Sequence, residues 1–185
     1  MAIRKVARMG HPVLRQKCAP IDPQKIAGPE VQRLIGDMLE TMIEYSGVGL
    51  AAPQVYEPVR LVIAGGEEDE QGRSQLRVLI NPEITVTDED ERLGMYEGCL
   101  SIPGMRGYVE RPASIHVKGY DEKGARVEFD LEGFPAIVMQ HECDHLDGVL
   151  YIDRMEDTRK LGFELEIARF QDRPAEDEED EAEAD

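Results

Sequence analysis

From Pro29 onward the apolar residues Val31, Leu34, Ile35, Met38, Leu39, Met42 and Ile43 recur at intervals of three and four. That spacing puts them on one face of an α-helix. Pro29 suits the first helical position, and Gly47 and Gly49 end the pattern. The period then shortens. Residues 59–64 and 76–80 are short β-rich runs, with a polar, acidic hairpin-like loop from Gly65 to Ser74 between them. Residues 84–87 read as a further strand. Residues 113–120 and 125–131 form a hairpin across the turn Asp121–Gly124. Phe134 to Asp147 returns to a helical pattern. Leu161, Phe163, Leu165 and Ile167 alternate like a strand, while Leu161, Leu165 and Ala168 also suit a helix, so both readings stay open there. Residues 1–23, punctuated by Pro12, Pro20 and Pro23, read as irregular, and no internal repeat is visible. The pattern predicts an α+β fold: short, mostly antiparallel strands around a central helix, with a second, amphipathic helix nearer the N-terminus.

A length of 185 residues suits one domain. We place it at residues 1–172, followed by an acidic tail at 173–185 with the composition of a disordered segment. No apolar run approaches the roughly 18 residues needed to cross a bilayer, and the first residues lack the apolar stretch of a signal peptide. Cytoplasmic residence, with no membrane partner, is therefore the expectation. Three scattered cysteines, Cys18, Cys99 and Cys143, do not make a disulfide framework and should be free thiols or metal ligands. The formal net charge is −18, and eight acids with no base lie in the last twelve residues. The remainder still carries −10. Such a body is a poor match for nucleic acid, whose binding needs clustered Lys and Arg.

Chemistry enters at His141-Glu142-Cys143-Asp144-His145. Read on the predicted helix, His141 and His145 stand one turn apart on one face and can hold one metal ion, with Glu142 beside them as a general base. A catalytic site of this kind has three protein ligands. Cys143 is excluded as the third, because it sits about 200° around the helix from His141. It reads as a small buried hydrophobe. His11 and His116 read more simply as surface or packed histidines, and nothing recommends Cys18. Cys99 lies in Glu97-Gly98-Cys99-Leu100-Ser101-Ile102-Pro103, where glycine permits close approach and proline fixes the exit. That setting suits a thiolate ligand without proving one. Gly47-Val48-Gly49-Leu50-Ala51-Ala52-Pro53-Gln54 reads in two ways. It is either a tightly packed loop, or backbone along which a substrate lies with Gln54 aimed at a developing charge.

Taken together, the three segments resemble the peptide deformylase family, whose pattern is GxGLAAxQ, then EGCLS, then HExDHLxG. Every motif position is matched, in order, and the resemblance spans roughly residues 1–157. The acidic tail lies outside it. The resemblance implies an α+β fold with antiparallel sheets around the metal-bearing helix. It also implies removal of the formyl group from N-formylmethionine on newly made polypeptides, with release of formate. Cys99, His141 and His145 become the metal ligands, and Glu142 the acid and base. The Gln54 side chain and the Leu100 backbone N–H become the donors to the substrate oxygen. The implied ion is Fe²⁺, with Zn²⁺, Ni²⁺ or Co²⁺ able to occupy the site. Ferrous iron beside a thiolate implies oxygen sensitivity. The partners are N-formylmethionyl nascent peptides, with a transient ribosome contact made by some surface other than the tail.

A methionine side chain needs an apolar pocket. Phe134, Ile137 and Val138 share the helix face of His141, and Val48 and Met95 are candidates across from them. Gly49 would leave backbone free to pair with an extended peptide. Glu97 and Arg106 are a candidate pair bracing the cysteine segment, and Asp144 is either a support to the ligands or a surface residue. Two other readings compete. An HExxH metalloendopeptidase would take a third histidine where this chain has Tyr151. A metal-stabilised binding module would need a fourth protein ligand, which the sequence does not offer.

Overall fold

The structure, a computed structural model, describes residues 2–68 and 74–171. In chain order these form α1 (Pro29–Glu44), β1 (Gly49–Ala51), β2 (Leu61–Glu68), β3 (Ser74–Val86), β4 (Arg92–Cys99) and β5 (Ile102–Pro112). There follow β6 (Ser114–Tyr120), β7 (Arg126–Glu132), α2 (Phe134–Leu146), β8 (Leu161–Phe163) and α3 (Glu164–Gln171). The strands make two antiparallel sheets, ordered β1-β2-β3-β6-β7 and β4-β5-β8. The fold is α+β, as the periodicities predict. No helix among the described residues is long and apolar enough to cross a membrane.

Period-two alternation in β1 and β2 decides which helix lies on which face of the larger sheet. Leu50, Leu61, Ile63 and Ile80 point to α1 and meet Leu34, Ile35, Met38 and Met42. Ala51, Val62, Ala64 and Leu79 point the other way and meet Ala136, Val138, Met139, Cys143 and Leu146 of α2. Leu61 and Ile63 are fully buried. Burial of each such side chain contributes about 1.5–3 kcal/mol, so a one-residue slip in β2 would turn both aliphatic sets to the wrong helix. A third cluster joins Ala7, Val13 and Leu14 of the N-terminal segment to Ile102, Val109, Leu150 and Tyr151, backing the smaller sheet.

α2 begins after Gly133, whose φ of 65° lets the chain turn sharply out of β7. Its apolar residues run nearly all round, as expected for a helix covered on most sides. α1 ends its buried stripe one position early, because Ile43 is 67% exposed.

Other expectations need adjustment. Residues 76–80 and 84–86 belong to one strand, β3, joined through an irregularity at Asn81 with φ of 51°, and Thr87 lies just past its end. The Asn81 side chain holds that kink by exchanging hydrogen bonds with both backbone groups of Ile21, at 2.8 and 2.7 Å. β2 runs on through Glu68 where a loop was expected from Gly65, and the remainder of that loop, 69–73, lies outside the described residues. The acidic segment 173–185 lies outside them too. At the C-terminal end each open reading is right for part of the stretch, strand over Leu161–Phe163 and helix from Glu164. β4 and β5 were not predicted.

Candidate active site

The two histidines project from the C-terminal half of α2, and the cysteine sits where β4 turns into β5, with Cys99 paired to Ile102. Ligand atoms of Cys99, His141 and His145 all lie within 4.8 Å of one another. The Cys99 Sγ to His145 Nε2 distance is 3.3 Å. Thiolate and imidazole ligands of a tetrahedral ion lie about 3.5 Å apart, given metal–sulfur and metal–nitrogen bonds of about 2.3 and 2.0 Å. The donor set fits a metal ion. Among the described residues the group has three members, which leaves its open side toward a cleft of about 490 Å³.

His141 is aimed by Glu97, whose Oε2 lies 2.7 Å from Nδ1. That contact keeps a proton on Nδ1 and leaves Nε2 as the ligand atom. Burial opposes charge on His141, but its contacts with Cys99 and Glu97 hold its pKa well above the usual imidazole value. Burial, with the positive charges of His141 and Arg111, pushes His145 well below that value and so favours the neutral, metal-binding form. Burial would raise Glu97 as well, but the hydrogen bonds from His141 and Arg111 win and bring it down to about 2.

Glu97 does not pair with Arg106. Arg106 lies opposite Gly98 in the β4–β5 ladder, on the other face of the hairpin from Glu97, and bonds Glu164 of α3. Arg111 lies opposite Leu93, four residues before Glu97 and therefore on its face. It makes two hydrogen bonds to Glu97, at 2.6 and 3.0 Å, and a third to Asp144 at 2.8 Å. Asp144 also receives Arg154, at 2.6 and 3.1 Å. Asp144 is thus a buried support of the ligands. The missed residues, Arg111 and Arg154, were invisible without the strand parity that brings Arg111 beside Glu97.

Glu142 is buried, its Oε2 has no partner among the described residues, and burial pushes its pKa up to about 7. It packs against Gly49, where an added Cβ would lie 2.8 Å from Glu142 Cδ. A side chain at this place would push the Glu142 carboxylate aside, and glycine leaves it room in the cleft. Gln54 lies in a 3-10 turn, Ala52–Val55. The Ala51 N–H donates to its Oε1 at 2.8 Å, which turns its amide nitrogen toward the site, 3.4 Å from Cys99 Sγ and 3.3 Å from Ser101 Oγ. Ser101 was not singled out in the sequence. Leu100 lines the cleft, as do Val48, Gly49, Met95, Phe134, Ile137 and Val138. Val48 and Phe134 are about half exposed, at 47% and 45%, whereas Ile137 and Val138 form its buried wall.

The remaining candidates stand apart. Cys143 packs into the core between α2 and the larger sheet, and Cys18 joins that same cluster. Tyr151 stacks on His141 with ring centroids 6.2 Å apart, so the position of a third histidine holds an aromatic support. His11 accepts from the Val13 N–H. His116 is in β6, 2.6 Å from Asp130 and 2.8 Å from Glu128 of β7. These two hydrogen bonds raise its pKa above 6.5. A raised folded value means that its contribution to stability is present below pH 6.5 and lost as the pH rises through the folded pKa. NMR titration of His116 should give a midpoint above 6.5, and a midpoint at or below it would remove the pairing.

A family model described as polypeptide deformylase matches residues 3–161. A peptide deformylase of Leptospira biflexa serovar Patoc is 45% identical over 172 residues, which is 90% of this chain and 96% of that protein. The solved peptide deformylase of Thermotoga maritima superposes with a TM-score of 0.75 at 39% identity, covering 85% of this chain and all of that one. The Met-Ala-Ser-bound class I type b enzyme of Acinetobacter baumannii gives 0.76 at 36% identity, covering 83% of this chain and 98% of the other. A metal-ligand trio at the mouth of a cleft, the matched fold and these relatives agree: the chain belongs to the polypeptide deformylase family.

Proposed function

We propose that this protein hydrolyses the formamide of N-formylmethionine at the start of newly synthesised polypeptides and releases formate. The observation that carries the reading is that Cys99, His141 and His145 converge beside a cleft that Glu142 and Gln54 also line. Those three residues would hold the ion, Fe²⁺ by family resemblance, with Zn²⁺, Ni²⁺ or Co²⁺ as substitutes. A divalent ion supplies Lewis acidity, which makes water a better nucleophile near neutral pH and polarises a carbonyl. Glu142 accepts the proton of the attacking water at its carboxylate and delivers it to the leaving amine nitrogen. Its buried setting, with a pKa of about 7, suits both halves of that transfer. The Gln54 amide and the Leu100 N–H donate to the oxygen that gains charge. Each such donor is worth about 10²–10³ in rate.

Val48, Met95, Phe134, Ile137 and Val138 surround the methionine side chain in this reading. Among the described residues β1 pairs with β2 on one side only, so the Gly49 backbone offers a free edge to an extended peptide. The tripeptide in the Acinetobacter structure begins with methionine, which supports this assignment. The metalloendopeptidase alternative is not favoured, because the ligand trio includes a cysteine and the family match is to deformylases. We further place the enzyme in the cytoplasm, with transient access to the ribosome.

Formate release from a formyl-Met peptide, measured with anaerobically purified protein alongside its metal content, tests the reading. Internal peptide cleavage without formate would overturn it. Cys99→Ser should lose metal and turnover together, and tight metal binding in that variant would take Cys99 out of the ligand set.

A further inference from the structure

The two donors assigned to the substrate oxygen belong to separate layers. Gln54 follows β1 of the larger sheet, and Leu100 stands at the β4–β5 corner of the smaller one. Two donors can serve one oxygen only if their separation is held to about 0.5 Å. The direct links, from Gln54 Nε2 to Ser101 Oγ at 3.3 Å and to Cys99 Sγ at 3.4 Å, are long and weak. A stronger connection comes from the N-terminal segment, which runs between the layers and bonds both. The Ala7 N–H donates to the Gln54 carbonyl at 2.7 Å, and the Met9 N–H to the Ser101 carbonyl at 2.8 Å. Between them, the Arg8 guanidinium donates to the Leu100 carbonyl. Further along, the His11 ring meets Tyr56 edge to face at 5.0 Å. Tyr56, with φ of 68°, is the residue that closes the Gln54 turn. Ala7 is fully buried, which anchors the segment in the core.

Holding the Leu100 carbonyl restrains the Leu100–Ser101 peptide, which is joined through φ and ψ of Leu100 to the Cys99–Leu100 peptide that carries the Leu100 N–H. The guanidinium is a charged donor, and charge-assisted hydrogen bonds are roughly twice as strong as neutral ones. We propose that Arg8 is a positioning residue of the hydrolysis: by gripping the Leu100 carbonyl from a brace formed by Ala7 to Met9, it sets the Leu100 N–H in register with the Gln54 amide. This rests on the oxyanion assignment made above. Arg8 is exposed and lines the cleft, so a direct contact with substrate is the competing role, and it predicts a change in KM.

Arg8→Met keeps most of the side chain's length and removes the donor. The expected result is a fall in kcat of about tenfold, with KM for a short formyl-Met peptide, metal content and melting temperature unchanged. Arg8→Lys, which can still donate, should recover most of kcat. In ¹⁵N-labelled protein the Leu100 amide resonance should move in Arg8→Met and return in Arg8→Lys. Unchanged kcat in Arg8→Met overturns the proposal, as does a loss confined to KM or a failure of lysine to rescue. Gln54→Ala separates this from the assignment beneath it. If Gln54→Ala loses turnover and Arg8→Met does not, the brace alone fails. If neither does, the oxyanion assignment fails as well.

Discussion

Glu142→Gln lowers kcat for formyl-peptide hydrolysis by about 10²–10⁴ and leaves the metal content unchanged. The amide has the shape of the carboxylate, so the close fit against Gly49 survives. What it cannot do is hold a proton between water and the leaving amine. Glu142 is not one of the three residues whose ligand atoms converge, so metal analysis of the variant should match the parent. A variant that turned over at near-parental rate with its metal in place would take Glu142 out of the chemistry. One that lost its metal would make Glu142 part of the ligand sphere instead.

The second large effect is on stability. Arg111 is buried between two carboxylates, Glu97 and Asp144, with side-chain exposures of 5%, 4% and 11%. Arg111→Leu removes the only cation among the described residues bonded to both, and leaves Glu97 in a dry setting with His141 alone. Breaking a buried pair from one side costs about 3–5 kcal/mol, which in a chain of this size lowers Tm by roughly 6–20 °C. Metal affinity should fall as well, because Glu97 no longer holds His141 in a fixed orientation; losses of about 10–100-fold are usual for such supports. Acid sensitivity should change in a definite direction. The folded pKa of Glu97 is depressed from 4.5 to about 2, so its contribution is present above pH 4.5 and is lost as the pH falls toward 2. Arg111→Leu should flatten that limb of the stability profile. A melting temperature within a degree or two of the parent would contradict this account of the network.

The first two helices and the β6–β7 hairpin were legible because their patterns are local: a stripe at helical spacing in α1 and an alternation with a turn in β6–β7. The smaller sheet was not. β4 carries Gly94, Gly98 and the buried Glu97 among its eight residues, which is poor strand composition. Pairing with β5 and packing against the Leu14 cluster make it a strand. The ligand trio, Glu142 and Gln54 were readable because close spacing on one helix, or a matched motif, identifies them. Arg111, Arg154, Ser101 and the brace at Ala7 to Met9 act through contacts between residues far apart in the chain, and no local pattern records these. The misassigned partner of Glu97 has the same origin, since Arg106 and Arg111 differ only in the parity of a strand that was not foreseen.

The ligand trio draws on two layers: two imidazoles from the helix packed on the large sheet, and one sulfur from the corner of the small one. An ion gripped by all three joins those layers as a crosslink would. Its affinity then enters the folding equilibrium, and resistance to heat rises with the logarithm of free ion concentration over the dissociation constant. Starved of that ion, the protein would lose cohesion first where hairpin meets helix, in the very place where the cleft opens.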